Sequence, residues 1–509
     1  MPFYIFQFSM HFRHYCSLII LIFLNFALPK WAKRVVFLII FRIILIVFYF
    51  GVFLMKKFFA LLLSALLIFS TVLCGCNFDK NEPNQDDPVT LSIWHVYGSQ
   101  TESPFNDLIE KFNKTTGKEK GIIINITSVT DSSSIDDALI SSAKNEPMSA
   151  EMPDMFTAYP RVIKELNNIS LLDWSEYFSD EELDKLVSDF TAGGTFDDKQ
   201  LGLPIAKSTE LFFLNQTLFN RFAEENNISD DDLSTYESIF QTCRNYYDWS
   251  DGKDMFQIND FYNYFLVNMD SLGAEFIKNN KINFDDETFY KVYEPMAQAA
   301  IHGGLVTGNG YASDRWKTGE VICNVGSTAG ILYLKDYITY EDNTKENIET
   351  SVLIYPQFAD ASKKTVLQRG ADLFAVKSES EKKNRAMTYF AKFIIEEQNN
   401  IEFVTSSGYL PVTNDGFNNI LENYESIENE KYRLLYDTVS DMYGEYSFIS
   451  APVFDGSAEL QSDFENIVKA TLSSAHSENY QLSKDNNTNE ETLSKLTKES
   501  FETIKNHFK

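Results

Sequence analysis

Cysteine and histidine are scarce in this sequence of 509 residues, which contains five cysteines and six histidines. Only Cys243 and Cys323 stand beyond position 76, and no two histidines there have the close spacing of a metal site. Structural zinc sites need four such ligands in closely spaced pairs, so the sequence predicts no metal centre. We interpret Cys243 and Cys323 as buried small side chains; a disulfide between them is the alternative.

Positive charge is also in short supply. The chain has 44 lysines and arginines against 73 aspartates and glutamates, a formal net charge of −29. Seven of the basic residues and none of the acidic ones precede Cys76, so the remainder carries −36. Such a chain is repelled by the phosphates of nucleic acids and by anionic lipid surfaces. We therefore expect no nucleic acid partner.

Motifs that carry catalysis are missing. The sequence has no G-x-S-x-G, no phosphate-binding loop, no H-E-x-x-H and no G-x-G-x-x-G. Pairs of carboxylates are uninformative, because 73 acidic residues create such pairs by chance. The sequence therefore predicts a protein that is not an enzyme and that needs no cofactor.

Acidic residues are absent from residues 1–54, which contain two long apolar runs. Read literally, these runs predict one or two membrane helices. A second start follows at Met55, where two lysines precede the apolar run 58–73, the layout of a secretory signal peptide. As a helix this run would cover about 24 Å, less than the roughly 30 Å core of a bilayer. We interpret 1–54 as a start-site error, with translation beginning at Met55; an N-terminal membrane hairpin is the alternative.

The apolar run ends in Leu73-Cys74-Gly75-Cys76, which resembles the lipobox of bacterial lipoproteins. The resemblance implies that residues 55–75 are a lipoprotein signal peptide and that cleavage leaves a lipidated Cys76 at the N-terminus. Residues 76–88 are polar and turn-rich, so we interpret them as a lipidated tether. The lipid would hold the protein on the extracytoplasmic side of the cell membrane. Two incidental cysteines in an apolar segment are the alternative.

Strand and helix patterns alternate in the next part of the chain. The segment "VTLSIWHVYG" at 89–98 predicts a strand, and "SPFNDLIEKFNKTTG" has apolar residues at helical spacing with Gly117 as its predicted stop. "GIIINITSV" predicts the next strand, and it is followed by another helix and by a strand that ends near Tyr159. This order predicts an α/β fold with a parallel, helix-covered sheet.

Four later segments resemble, in order, bacterial extracellular solute-binding proteins of the carbohydrate type. Residues 197–219 contain Gly-Leu-Pro before a strand, and 315–331 contain an aromatic residue and a glycine before a strand that ends in small residues. Residues 368–376 form a strand with a glycine, and 391–412 end in Gly-Tyr-Leu-Pro-Val. The resemblance implies a monomeric receptor that delivers a small-molecule solute, a sugar or an oligosaccharide, to the permease subunits of an ABC importer.

The same resemblance implies a type II periplasmic-binding-protein-like fold, with two α/β lobes joined by hinge crossovers and a ligand cleft between them. The expected boundaries are 89–208 and 325–372 for lobe 1, and 209–324 and 373–509 for lobe 2. The crossovers are expected near 205–213, Cys323–Ser327 and 371–375.

A sugar presents apolar C–H faces and hydroxyl edges, so its site needs aromatic rings and polar side chains. The expected aromatic contacts stand at predicted strand ends or in the Gly-Tyr-Leu-Pro segment: Trp94, Tyr97, Tyr159 and Tyr409. The expected polar contacts stand on or beside the crossovers: Glu210, Ser327, Thr328, Arg369 and Asp372. The alternative for Trp94, Tyr97 and Tyr409 is a place in the core. The alternative for Glu210 and Arg369 is a single ion pair that holds the hinge.

Two other functions are compatible with the sequence. A secreted carbohydrate-active enzyme would need a carboxylate pair with a defined separation, and the missing active-site motif counts against it. A sensor or adhesin lipoprotein with the same fold would have no transport role. The solute itself is left open, because oligosaccharide, monosaccharide and glycerol-phosphate receptors share the implied architecture.

Overall fold

The computed structural model describes residues 80–97, 103–127, 132–285, 287–484 and 490–509, with a few helical residues between 34 and 46. Residues Lys80–Lys509 form one compact unit. The predicted signal peptide and the lipidation site Cys76 lie outside the described residues. Within the described part of the chain, no helix combines the length and the apolar character that crossing a membrane requires.

Short strands and longer helices follow one another along the larger unit. The strands are β1 (Val89–Trp94), β2 (Ile122–Ile126), β3 (Met155–Ala158), β4 (Thr195–Phe196), β5 (Lys199–Gln200), β6 (Leu203–Pro204), β7 (Glu210–Asn215), β8 (Phe256–Ile258), β9 (Ile277–Lys278), β10 (Lys281–Ile282), β11 (Cys323–Ser327), β12 (Tyr337–Thr339), β13 (Lys345–Asn347), β14 (Thr350–Leu353), β15 (Thr365–Leu367), β16 (Asp372–Ala375) and β17 (Ser447–Ile449). The α-helices are α1 (Pro104–Lys114), α2 (Thr116–Lys120), α3 (Ser132–Ala143), α4 (Asp180–Leu183), α5 (Ser188–Ala192), α6 (Gln216–Asn226), α7 (Tyr236–Trp249), α8 (Phe261–Ser271), α9 (Glu287–His302), α10 (Ala312–Trp316), α11 (Glu381–Ile395), α12 (Glu397–Thr405), α13 (Asn414–Asn423), α14 (Glu430–Met442), α15 (Ser457–Lys484) and α16 (Glu490–His507).

The sheet of lobe 1 has the strand order β2-β1-β3-β16-β6. Strand β1 runs parallel to β2 and β3, whereas β16 runs antiparallel to β3 and β6. Successive side chains of a strand point to opposite faces. Ile93 accordingly packs in the core that α1 and α11 cover, and Trp94 packs with Ile135 and Leu139 of α3 on the other face.

The helix predicted to stop at Gly117 is divided in two. Helix α1 ends at Lys114, and the short helix α2 continues through Gly117 to Lys120. Gly121 then takes a φ of 69°, a left-handed conformation that favours glycine after a helix. The periodicity predicted the helical region, but that region ends at Gly121 and not at Gly117.

The sheet of lobe 2 has the order β14-β7-β11-β8. Strand β7 lies between β14 and β11, antiparallel to both, and all six of its residues are buried. This explains its nearly continuous apolar sequence. Helices α7, α9, α15 and α16 pack on one another beside this sheet. Cys243 and Cys323 are buried there as free thiols, in agreement with their interpretation as core residues.

Two linkers lie side by side: one joins the two lobe sheets, and the other joins the sheet of lobe 1 to β15, which pairs with β17 in a separate two-stranded sheet. Residues 205–209 join β6 to β7, and 368–371 join β15 to β16. Ser208 and Arg369 exchange two backbone hydrogen bonds of 2.8 and 2.6 Å, and Lys207 and Leu410 exchange two of 3.2 and 2.5 Å. The linker 205–209 therefore lies between two neighbouring segments, one at Arg369 and one at Leu410. We call this arrangement the hinge.

Strand pairing departs from the predicted lobe boundaries. Strand β14, expected in lobe 1, pairs with β7 in the second sheet, whereas α11 and α12, expected in lobe 2, pack on lobe 1. Strand β11, predicted as a crossover, lies inside the second sheet between β7 and β8. The physical reason is that a short strand has the same sequence pattern in either sheet, so the sequence does not specify its partner.

Candidate functional site

A cavity of about 110 Å³ lies between the two sheets and beside the hinge. Six parts of the chain line it: the turn that follows β3, Gly193, Lys207, the start of α8, the end of β15 with the linker that follows it, and residues 450–461 at the start of α15. Helix α15 also contacts the turn Pro160–Glu165 of lobe 1. The end of a strand in an open α/β sheet is the usual place for a ligand, so we take this cavity as the candidate site.

Of the four predicted aromatic residues, Tyr97 and Tyr409 contact each other near Tyr159, and Tyr159 alone lines the cavity. Tyr159 follows β3 and lines the cavity, with the guanidinium of Arg161 4.8 Å from the centre of its ring. The rings of Tyr97 and Tyr409 meet edge to face, with centroids 5.4 Å apart. Burial raises the pKa of Tyr97, and the nearby Tyr409 and Tyr159 add to the rise. The buried Tyr97 hydroxyl has no hydrogen-bond partner among the described residues.

Trp94 does not join this group. It is 4% exposed and packs in the separate cluster of α3, Phe156 and Phe374. The structure therefore places Trp94 in the core of lobe 1, which was the alternative for this residue. The reason is the alternation of side chains along β1, because the last strand residue points to the face that α3 covers.

Glu210 and Arg369 form an ion pair at the hinge. Arg369 Nη1 lies 2.9 Å from Glu210 Oε1, and the two side chains are 26% and 4% exposed. Asn263 Nδ2 donates to the same carboxylate oxygen at 3.2 Å. Burial raises the pKa of Glu210, and Arg369 opposes that rise. The pair is the hinge contact left open by the sequence, and its arginine also lines the cavity.

A second ion pair also crosses the hinge. Here the cation lies on the linker 205–209 and the carboxylate on the segment that follows 368–371. Lys207 Nζ lies 2.6 Å from Asp372 Oδ1, with the side chains 2% and 0% exposed. Burial raises the pKa of Asp372, and the ammonium of Lys207 opposes the rise. Lys207 lines the cavity and Asp372 does not, so this lysine, which was not among the predicted contacts, stands nearer to the candidate site than the predicted Asp372.

Ser327 and Thr328 lie at the end of β11 and contact the hinge. Ser327 Oγ is 3.2 Å from Ser208 Oγ, and the Thr328 amide donates to the Thr209 carbonyl at 2.8 Å. Neither residue is among those that line the cavity. Their contact with a solute stays a prediction, and their observed contacts tie β11 to the linker 205–209.

The start of α8 supplies cavity residues that the sequence did not reveal. Asp260 Oδ1 accepts from the Asn263 amide at 2.9 Å, and Asp260 Oδ2 accepts from Gln461 Nε2 at 3.2 Å. Glu465 Oε2 accepts from the Phe261 and Tyr262 amides at 2.8 and 3.2 Å. An aspartate directly before an apolar run is a helix-start signal, but nothing in the sequence near 450–461 shows that it approaches this helix.

Comparison with known proteins identifies a family. Residues 107–420, more than half of the chain, match the family described as bacterial extracellular solute-binding protein. No curated protein matches the chain in sequence.

Several solved structures have the same fold. The chain is similar to the cyclic α-maltosyl-1,6-maltose binding protein of Arthrobacter globiformis, with a TM-score of 0.59, 14% identity, and coverage of 82% of this chain and 100% of that one. The chain is also similar to UgpB of Mycobacterium tuberculosis, solved in complex with glycerophosphocholine. The TM-score is 0.58, the identity is 15%, and the match covers 83% of this chain and 100% of that one. A third similar structure is the GacH receptor of Streptomyces glaucescens, solved with acarbose. The TM-score is 0.56, the identity is 14%, and the match covers 82% of this chain and 99% of that one.

These likenesses confirm the predicted α/β fold of two lobes in the manner of periplasmic binding proteins. The family match also confirms the expected extracytoplasmic location and the expectation of a binding protein that is not an enzyme. The chain belongs to the family of bacterial extracellular solute-binding proteins.

Proposed function

We propose that the protein is a lipid-anchored receptor that binds a neutral carbohydrate between its two lobes and delivers it to the permease subunits of an ABC importer. It works as a monomer and needs no cofactor. Proteins of similar fold are named as binders of maltose-type sugars, acarbose and cycloalternan, which supports the carbohydrate class.

The pairing of the cavity's charges supports a neutral ligand. Each cationic side chain that lines the cavity already has a carboxylate partner among the described residues. Arg369 pairs with Glu210, Lys207 with Asp372, and Arg161 Nη2 with Asp136 Oδ2 at 2.8 Å. An anionic solute would compete with these carboxylates, whereas sugar hydroxyls accept from the remaining N–H groups without adding charge.

The start of α8 offers no free place for an anion among the residues described there. The N-terminus of a helix attracts phosphate through its unpaired amides and its dipole. Here the amides of Phe261, Tyr262 and Asn263 are bound by the carboxylates of Asp260 and Glu465. This arrangement favours a sugar over glycerol phosphate, although a receptor of similar fold was solved with glycerophosphocholine.

Two half-buried tyrosines supply the apolar component that a sugar face requires. Tyr159 lines the cavity, and Tyr409 lies close enough that Tyr159 and Arg369 influence its pKa, which burial raises most. Stacking against such rings buries the C–H face and leaves the hydroxyls free for polar neighbours. We assign both rings to solute contact and Tyr97 to their support.

Hinge closure is the proposed way of signalling occupancy. A solute that touches both lobes binds only the closed form, so it shifts the population toward closure. The paired linkers at Lys207, Ser208, Arg369 and Leu410 concentrate the bending in a few backbone positions. The closed form then docks on the permease.

Calorimetric titration tests the neutral-ligand proposal. A panel of neutral mono- and oligosaccharides is compared with glycerol phosphate at low and high salt. We expect saturable binding of one neutral sugar class with little salt dependence, because no net charge is exchanged. Tighter binding of the phosphate ester, weakened by salt, would show that the ligand class is wrong.

The lipid anchor needs a separate test. Metabolic labelling with palmitate should mark the wild-type protein and leave Cys76→Ala unlabelled, and mass spectrometry should find no peptides from residues 1–54. A wild-type protein without lipid, or with its N-terminus elsewhere, would remove the anchor from the proposal while leaving solute binding to stand.

A further inference from the structure

Residues 80–88 lie along the surface of lobe 1. Arg385 Nη1 and Tyr389 Oη donate to the Glu82 carboxylate at 3.2 and 2.5 Å. Lys382 Nζ lies 2.7 Å from Asp87 Oδ2. Gln85 Nε2 donates to the carbonyl of Lys118 at 3.0 Å. The part of the predicted tether that the structure describes is therefore bound to the folded body at several points.

The backbone of this segment is also shaped to its place. Pro83 is buried, and Asn84 Oδ1 accepts from the amides of Asp86 and Asp87 at 3.1 Å each. The carbonyl of Asn84 rests on Gly121, where a Cβ would come within 2.1 Å of the Asn84 oxygen. Gly121 therefore allows two backbone segments to approach closely. Any residue with a side chain would block this approach.

Charge complements this shape. The receiving surface carries Lys118, Lys120, Lys382 and Arg385, a basic group in a chain of net charge −29. The ammonium of Lys120 lies 5.0 Å from the centre of the Tyr389 ring, beside the Glu82 contact. The segment brings three acids to it: Glu82, Asp86 and Asp87.

We propose that this surface of lobe 1 is a docking site for the chain's own acidic segment 80–88, and that the docked segment is a reversible latch that sets the receptor's reach from the membrane. The consequence for reach rests on the proposed lipid at Cys76. Exposed ion pairs are individually weak and are screened by salt, so the segment can dock and release.

The latch changes the reach several-fold. When it is docked, only residues 76–79 separate the lipid from the body, and four extended residues span at most about 14 Å. When it is released, the thirteen residues 76–88 span up to about 45 Å. Strand β1 begins beside the latch, where the Val89 amide donates to the Gly121 carbonyl at 2.8 Å. Its six residues cover roughly 20 Å toward the candidate site, so a docked latch keeps that site at the end of lobe 1 away from the lipid.

Hydrogen exchange on the full-length lipoprotein in nanodiscs tests the docking. Asp87→Lys and Lys382→Asp each place like charges in contact, and each should speed exchange across residues 80–89 several-fold. The double variant restores the pair with its charges exchanged, so protection should return. Asp86→Lys is the matched control, because the Asp86 carboxylate has no ion-pair partner among the described residues and the change in charge equals that of Asp87→Lys.

Energy transfer tests the reach. A dye on Lys114→Cys, a position 69% exposed, reports distance to acceptor lipids, and Cys243 and Cys323 are buried against labelling. We expect transfer to fall in Asp87→Lys and in high salt, and to recover in the double variant. Unprotected exchange of residues 80–89 in the wild type, or equal protection in the wild type and both single variants, would overturn the latch.

Solute titration of the same samples separates the two proposals. Normal binding by variants with a released segment is expected, because the latch lies away from the candidate cavity. Protection of the segment in a protein that binds no solute would sink the proposed function and leave the docking intact. Fast exchange across residues 80–89 in a protein that binds solute normally would refute the docking and leave the proposed function intact.

Discussion

Replacing Arg369 with methionine removes the cation from the hinge while keeping most of the side chain's length. Glu210 would then be a buried carboxylate, 4% exposed, whose remaining hydrogen bond among the described residues comes from Asn263. Breaking a buried pair on one side typically costs about 3–5 kcal/mol, because the remaining charge has lost both water and partner. We expect a loss of unfolding free energy in that range near neutral pH.

The loss should depend on pH. Burial already raises the pKa of Glu210 above its value in the unfolded chain, so its folded form binds protons more tightly and its contribution to stability falls as pH rises through that interval. In Arg369→Met the opposing attraction is gone and the pKa rises further. The variant should therefore be destabilised more at pH 8 than at pH 5, where Glu210 can be neutral.

Urea unfolding of the wild type and variants at both pH values measures this effect. Glu210→Gln combined with Arg369→Met should recover most of the loss, since it removes the stranded charge. Lys364→Met is the control, because its pair with Glu445 is exposed on both sides and such pairs contribute about 0–1 kcal/mol. An Arg369→Met variant as stable as the wild type at pH 8 would refute the reasoning.

Three further substitutions probe the site and its support. Tyr159→Ala should weaken solute binding by about 1–3 kcal/mol, or roughly 5- to 150-fold, with little change in melting temperature, as calorimetry and a thermal melt will show. Trp94→Ala should lower the unfolding free energy by about 3–5 kcal/mol and leave the affinity of the folded protein unchanged, because Trp94 is a core residue. Burial lowers the pKa of His95 from 6.5 to about 4, so the wild type should lose up to about 3 kcal/mol as pH falls from 6.5 to 4, and His95→Gln should lose less over that range.

The first half of lobe 1 was predictable because local patterns determine it. Strands β1, β2 and β3 alternate with helices at the expected periods, and the crossover geometry of parallel strands leaves few arrangements. Tyr97 and Trp94 illustrate the limit. Both stand near the end of the same strand, and the sequence alone does not say which side chain meets α3 and which meets α1 and α12.

The candidate site was only partly predictable because it joins distant segments. Arg369 and Glu210 were both selected, yet their 2.9 Å contact depends on how two linkers lie together. Gln461 lines the cavity from α15, the helix that follows β17. No local sequence pattern predicts that this helix approaches the cavity. Lys207 was not among the predicted contacts, because long cationic side chains are usually exposed, but its pairing with Asp372 allows it to be buried.

Small-angle scattering of the protein at proven saturation with its tightest-binding sugar tests the central claim most directly. A carbohydrate held between the lobes should favour the closed form, so the radius of gyration should fall on binding and should stay unchanged with a sugar that calorimetry shows not to bind. An identical scattering profile with and without the bound sugar would contradict the proposal of a receptor that closes on its solute.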